Sequence, residues 1–219
     1  MVDIFDEISD DLRTERALGL LRRFGGIFIL AAVLVLLGVA GDQVWQSYQA
    51  RQNNAAAVKF LGITQQIDAL GITNPQQISN AAALTNFAAS APAGYRSLAN
   101  LRAASLYAAA GRLNEAAGLW NNVSADEAAD PLLRNLADLL WAQHELGVAP
   151  DDAVAARLAP LTVPENTWHG LAQETQALLY LHEGKTDQAK ALFSQIASDP
   201  SAPEGVRNRA DGLLAQLNG

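Results

Sequence analysis

Cysteine is absent from the 219-residue chain, and aromatic residues make up only 6% of it. The absence of cysteine excludes disulfide frameworks, cysteine-ligated zinc, iron–sulfur clusters and thiol nucleophiles. Runs of β-branched residues are nearly missing outside one segment near the N-terminus, whereas alanine and leucine are abundant. This composition predicts an all-α protein.

Basic residues are also scarce. The 15 lysines and arginines stand against 23 aspartates and glutamates, so the formal net charge is -8. The acidic residues are scattered along the chain and form no tail. Because a nucleic-acid backbone is bound by a basic face, this charge argues against a DNA or RNA partner.

Residues 24–41 form the one long hydrophobic run, with eighteen consecutive uncharged residues. At about 1.5 Å per residue a helix of this length reaches roughly 27 Å, close to the roughly 30 Å hydrocarbon core of a bilayer. Eleven of the residues are Leu, Ile, Val or Phe, which all favour insertion. The run therefore predicts a single transmembrane helix.

Charged and aromatic residues beside this run predict its orientation. Four arginines precede it, including the adjoining Arg22 and Arg23, whereas only two basic residues follow within about twenty positions. Because Lys and Arg stay on the cytoplasmic side, the N-terminus is predicted to be cytoplasmic. Trp45 and Tyr48 lie one to two turns beyond the run, at the depth where aromatic rings settle at the membrane surface.

Two alternatives to a permanent span stay open, a cleavable signal peptide and a buried core helix. Gly38 and Ala40 have the spacing of a signal cleavage site. Against cleavage, six acidic residues lie within residues 1–23. The apolar run also exceeds the roughly 7–15 residues of a signal sequence. We therefore favour a permanent span.

The chain divides into four parts by composition. In the first part Ile4, Phe5, Ile8 and Leu12 recur at helical spacing among acidic residues, which predicts an amphipathic helix. After the apolar run, proline and glycine separate helical stretches. The predicted parts are a cytoplasmic stub with a short amphipathic helix (1–23), the transmembrane helix (24–41), a juxtamembrane helix with a degenerate capping repeat (42–94) and helical repeats (95–219).

The C-terminal part contains a long internal repeat, because the pattern around Tyr107 returns around Tyr180. Gly147 lies nearly midway between Gly111 and Gly184, the matching glycines of the two copies. Each helix-turn-helix unit is therefore roughly 36 residues long, close to the tetratricopeptide period. In such units Gly ends the first helix, Ala permits close approach and an aromatic side chain fills the gap between neighbours. The predicted repeat-packing residues are Tyr107, Gly111, Ala116, Trp120 and Val123, matched at the same offset by Tyr180, Gly184, Ala189, Phe193 and Ile196.

The two units, ASLYAAAGRLNEAAGLW and ALLYLHEGKTDQAKALF, resemble the tetratricopeptide pattern. Ala104 and Ala177 stand where that family often has Gly, and Pro150 and Pro160 leave room for only a short second helix in the middle unit. With its stub and span, the chain resembles the YfgM-type ancillary subunits of the bacterial Sec translocon. The resemblance implies a right-handed tetratricopeptide-like α-solenoid in the periplasm, anchored in the bacterial inner membrane. It also implies association with the SecYEG translocon and a PpiD-like chaperone, and it supplies no binding residues.

The repeats carry no recognisable pattern of catalytic, metal-binding or cofactor-binding residues. His144, His169 and His182 are too dispersed for an HExxH-like pair, and no carboxylate cluster accompanies them. The tripeptide at 184–186 lacks the upstream glycine of a phosphate-binding loop. We therefore predict a protein without enzymatic activity and without a cofactor.

Two functions from different classes remain as hypotheses. The first is a membrane-tethered protein-binding module that assists emerging secretory proteins together with a periplasmic chaperone. The alternative is an envelope scaffold that links cell-division or wall-assembly partners. Among the tryptophans, Trp120 and Trp141 are predicted to lie in the core between helices. Trp168 and His169 either pack in the same way or line a peptide groove.

Overall fold

The computed structural model describes residues 4–70 and 74–219. Within the first helix it describes the side chains of residues 26, 30 and 33–70. The described chain is all-α, as the composition predicts. Its helices are α1 (Ile4–Leu70), α2 (Gln77–Ala88), α3 (Ala93–Ala109), α4 (Leu113–Ala125), α5 (Pro131–Glu145), α6 (Asp151–Leu158), α7 (His169–His182), α8 (Thr186–Ser198) and α9 (Glu204–Asn218), and a 3-10 turn at Ala159–Leu161 follows α6.

The described residues of the predicted stub, span and juxtamembrane helix all fall on α1. The side chains of the stub (1–23), with Arg22 and Arg23, lie outside the described residues, and so do most side chains of the predicted span at 24–41. Where side chains are described, no helix combines the length and the apolar character that a bilayer crossing needs. The transmembrane helix and its orientation therefore stay predictions.

Trp45 and Tyr48 lie in the part of α1 whose side chains are described. Both are more than half exposed, and their ring centroids are 6.4 Å apart. Large apolar side chains before them are exposed as well, five of them at the successive positions 33–37. These side chains are Leu30, Val33, Leu34, Val35, Leu36, Leu37, Val39 and Val44.

The contacts divide the chain into two units, Met1–Asn54 and Ala55–Gly219. In the second unit each helix from α2 onward packs on the next in a chain of hairpins, and α3 contacts α5, α5 contacts α7 and α7 contacts α9. The first helices of successive hairpins therefore form one layer. The second helices are α4, α6 and α8, and each of them packs between two successive first helices. Pro150 and Pro160 flank α6, which is the shortest α-helix described.

Among the described residues of this unit, three apolar clusters form the core. The largest surrounds Trp120 and joins α3 to α7, a second surrounds Leu84 where α2 packs on α3, and a third surrounds Phe193 among α7, α8 and α9. Trp120 and Phe193 are both fully buried, and the long repeat places them at the same point of their hairpins. Ala116 and Ala189 are also fully buried. An alanine at these positions leaves room for the neighbouring helix.

Gly111 and Gly184 end α3 and α7 in the left-handed conformation, with φ of 76° and 75°. In both turns the residue after the glycine donates its N–H to the carbonyl oxygen of the tyrosine near the helix end, Tyr107 or Tyr180, at 2.8 Å. This is the hydrogen bond of a Schellman motif, which satisfies a carbonyl that the helix end leaves free. The same pattern in both hairpins explains why glycine recurs there.

Replacing Gly111 by alanine is expected to destabilise the protein by about 1–2 kcal/mol, because L-residues are strained in the left-handed region. Gly118 in the middle of α4 is the matched control, since a Cβ atom at either glycine meets no atom within 4 Å. Gly118→Ala is expected to stabilise by roughly 0.5–1 kcal/mol through helix propensity. Urea unfolding of both variants, followed by circular dichroism, measures the difference. Changes of the same sign would contradict the assignment.

The long repeat extends further than its five predicted positions. The sequence RNLADLLWAQ in α5 returns as RNRADGLLAQ in α9, at the same offset that separates Tyr107 from Tyr180. The preceding turns also match, because Asp126 and Asp199 each accept a backbone N–H from the second residue after them, at 3.0 and 2.8 Å. The array therefore contains two related three-helix blocks, α3–α5 and α7–α9, joined through α6.

Candidate functional site

A cavity of about 450 Å³ lies on the layer of first helices, between α5, α7 and α9. This volume is within the roughly 300–1,000 Å³ that ligand-binding clefts enclose. Leu146, Leu178 and Leu213, one from each helix or its end, supply apolar surface. We call this cavity the groove. It is lined by Gln143, Leu146, Glu174, Thr175, Leu178, Arg209 and Leu213.

An ion pair between Glu174 and Arg209 crosses the groove from α7 to α9. Arg209 Nε donates to Glu174 Oε1 and Arg209 Nη2 donates to Glu174 Oε2, both at 2.6 Å. The Glu174 side chain is only 9% exposed, whereas that of Arg209 is 54% exposed. The hydrogen bonds to Glu174 raise the pKa of Arg209 above its usual value. A buried carboxylate is tolerated when both of its oxygens accept hydrogen bonds from a positively charged partner, as they do here.

The remaining polar groups of the groove are neutral. Gln143 Nε2 donates to Thr175 Oγ1 at 3.3 Å, and Thr175 Oγ1 donates to the Leu171 carbonyl oxygen at 2.9 Å. These bonds join α5 to α7 beside the apolar surface. The Leu178 side chain stays about one-third exposed, at 36%, so it is available for contact.

The equivalent positions of the first block carry different side chains. In the register of the long repeat, Leu101 and Leu136 correspond to Glu174 and Arg209, and Ser105 corresponds to Leu178. Leu101 is buried in the core, and Leu136 packs against the same cluster. An apolar pair in the first block is therefore replaced by an ion pair in the second.

The predicted repeat-packing residues lie in the hairpin core or at the turns, and none of them lines the groove. Tyr107 and Tyr180 are half-buried, and in both hairpins the basic residue after the turn glycine lies over the tyrosine ring, at 5.0 and 5.8 Å from its centroid. Trp168 Nε1 donates to the Leu132 carbonyl oxygen at 3.0 Å, and its ring packs against the largest apolar cluster. Of the two interpretations of Trp168, the structure favours packing.

Two of the three histidines make contacts with different partners. His144 stacks on Trp120 with ring centroids 4.8 Å apart, and burial lowers the pKa of His144 although the neighbouring Glu145 opposes this. His182 Nε2 is 3.5 Å from Asp151 Oδ1. Over the part of the chain that the structure describes, no group of three or more His, Cys, Asp and Glu side chains is placed to hold a metal ion.

Sequence reasoning missed Glu174, Arg209 and Leu178. A signal for all three was present, because each interrupts the long repeat while residues around it are kept. In RNLAD and RNRAD, for example, only the third letter changes.

One comparison with known proteins agrees with this architecture. The family model of the tetratricopeptide repeat-like domain matches residues 20–211. The chain belongs to this family. Tetratricopeptide repeat-like domains are typically protein-interaction modules and not enzymes, which suggests a protein-binding role for the chain. The searches of curated proteins and of solved structures returned no match.

Proposed function

We propose that this protein is a membrane-anchored periplasmic module that holds segments of partner proteins in the groove. The groove is the observation that carries the proposal, since it combines apolar surface from three helices with a few fixed polar groups. Ligand-binding clefts commonly have this composition. The tetratricopeptide repeat-like family gives the same expectation of protein binding.

The membrane anchor is supported by the apolar run at 24–41 and by the exposure of the described side chains within it. Five successive apolar positions cover a full helical turn, so residues 33–37 present apolar side chains on every side of α1. A helix that is apolar all round suits a lipid environment. The family model begins at residue 20, so it includes this run together with the repeats.

The resemblance to YfgM-type subunits supports a finer assignment. In it the protein is an ancillary subunit of the Sec translocon of the bacterial inner membrane, with SecYEG and a PpiD-like chaperone as partners. An anchor beside the translocon raises the effective concentration of the repeats near emerging chains, up to the millimolar range for short tethers. A groove of modest affinity is then sufficient.

Membrane extraction tests the anchor. Alkaline carbonate is expected to leave the full-length chain in the membrane pellet, and protease added to right-side-out vesicles is expected to digest residues beyond 42. Inverted vesicles serve as the matched control, because there the repeats are protected. Release into the carbonate supernatant would overturn the anchored form of the proposal.

Photo-crosslinking tests the partner. A crosslinker at position 178, in the groove, is compared with one at Ala191, which is exposed on α8. We expect position 178 to yield adducts with translocating chains or with translocon and chaperone subunits, identified by mass spectrometry.

Adducts with cell-division or wall-assembly proteins would instead favour the scaffold function. That alternative gains support from a second hollow of about 360 Å³ between the start of α5 and the loop before α7.

A further inference from the structure

We propose that the groove takes an uncharged, apolar stretch of polypeptide and that Arg209 donates hydrogen bonds to its backbone carbonyl oxygens. This inference rests on the protein-binding function proposed above and names the class of segment that the groove accepts. It follows from the charge of the groove, its hydrogen-bonding groups and the comparison of the two blocks.

The charge of the groove is compensated internally. The charged residues that line the groove are Arg209 and Glu174. They are joined by two hydrogen bonds, so the positive charge of one compensates the negative charge of the other. An acidic ligand would have to compete with Glu174 for the guanidinium. A basic ligand would meet a carboxylate whose two oxygens are already bonded. Either charged segment would lose its hydration in the groove without gaining an unpaired counter-charge.

The hydrogen-bonding groups that the groove can still offer to a ligand are mainly donors. A guanidinium has five N–H donors, and the pair with Glu174 uses two of them. The side chain of Arg209 lines the groove and is half exposed, so its guanidinium is not enclosed by the fold. A peptide carbonyl oxygen is a neutral acceptor that every segment offers, and the adjacent leucines provide for apolar side chains.

The repeat indicates that this ion pair is not needed for packing. At the same positions of the first block, Leu101 and Leu136 fill the space with apolar atoms. Replacing a buried ion pair by apolar residues of similar volume is often neutral or stabilising. The second block thus carries two charged residues where a leucine pair also builds the fold. Next to them Leu178 replaces Ser105, which adds exposed apolar surface at the same place.

The test measures fluorescence anisotropy of labelled peptides with the full-length chain in phosphatidylcholine nanodiscs, with empty nanodiscs as the blank. Three peptides of equal length are used: an Ala/Leu/Ser sequence, the same sequence with two aspartates, and the same with two lysines. The wild-type protein is expected to bind the neutral peptide at least tenfold more tightly than either charged one. Glu174→Gln leaves the Arg209 charge uncompensated, so the acidic peptide is expected to gain about tenfold in affinity. Glu115→Gln, which removes the partner of Arg112 on α4, is the matched control and is expected to change no peptide's affinity.

Each outcome bears on one of the two proposals. Equal or tighter wild-type binding of a charged peptide, or an unchanged acidic-to-neutral ratio in Glu174→Gln, overturns the inference about the segment. If those results occur while position 178 still crosslinks to protein partners, the protein-binding function stands and only the segment class is wrong. Absence of both peptide binding and crosslinks from position 178 overturns the proposed function itself.

Discussion

Replacing Trp120 by alanine is expected to destabilise the protein by about 3–5 kcal/mol, the cost of emptying a large buried aromatic site. Trp120 has no exposed surface and lies in the largest apolar cluster, where it also stacks on His144 at 4.8 Å. Its loss leaves a cavity between hairpins, because helices α3, α4 and α5 are linked by short turns and close up only in part. Urea unfolding of the full-length chain in nanodiscs, followed by circular dichroism, measures the change.

Two variants serve as controls for this prediction. Trp120→Phe is expected to cost less, because phenylalanine occupies the equivalent position 193 of the second block with full burial. Trp168→Ala, at a partly buried indole that donates one hydrogen bond, is also expected to cost less than Trp120→Ala. A loss under about 1 kcal/mol for Trp120→Ala would mean that Trp120 does not hold the hairpins together.

Replacing Arg209 by leucine is expected to destabilise the protein by about 2–3 kcal/mol, because it leaves the Glu174 carboxylate buried without its partner. The value lies below the usual cost of breaking a buried pair, since Arg209 itself is half exposed and solvent screens part of the interaction. The double variant Glu174→Leu/Arg209→Leu recreates the leucine pair of the first block. Its free energy of unfolding is expected to lie within about 1 kcal/mol of the wild-type value.

The double-mutant cycle separates stability from binding. If the double variant is as stable as the wild type, the ion pair is dispensable for the fold. The neutral peptide is then expected to bind it less tightly, because the donors of Arg209 are gone. A double variant as unstable as Arg209→Leu would contradict this, since it would show that the second block cannot accept the packing of the first.

The residues that local rules govern could be predicted from sequence. Gly111 and Gly184 end helices because the left-handed turn requires glycine, and the matched positions of Trp120 and Phe193 follow from hairpins that stack in the same way. The shortness of α6 follows equally from the prolines beside it. Each of these features depends on residues that are close in the chain or on one fixed period.

The groove could not be predicted in the same way. Glu174 and Arg209 are 35 residues apart, and their pairing depends on how α7 packs on α9. Neither residue belongs to a motif, and an isolated Glu or Arg on a helix is most often a solvated surface residue. Trp168 illustrates the opposite case, because an aromatic residue beside a proline-rich link fits a groove and a core equally well until its neighbours are known. The long repeat, compared letter by letter, is the sequence signal that comes nearest to locating the groove.

The affinity of the neutral peptide for Leu178→Asp, compared with Ala191→Asp, tests the central claim that the groove is the protein-binding surface. Both residues are exposed on helices of the second block, but only Leu178 lines the groove. Anisotropy in nanodiscs is expected to show at least a tenfold loss of affinity for Leu178→Asp and no change for Ala191→Asp. Equal affinity of the two variants, with both folded by circular dichroism, would contradict the claim.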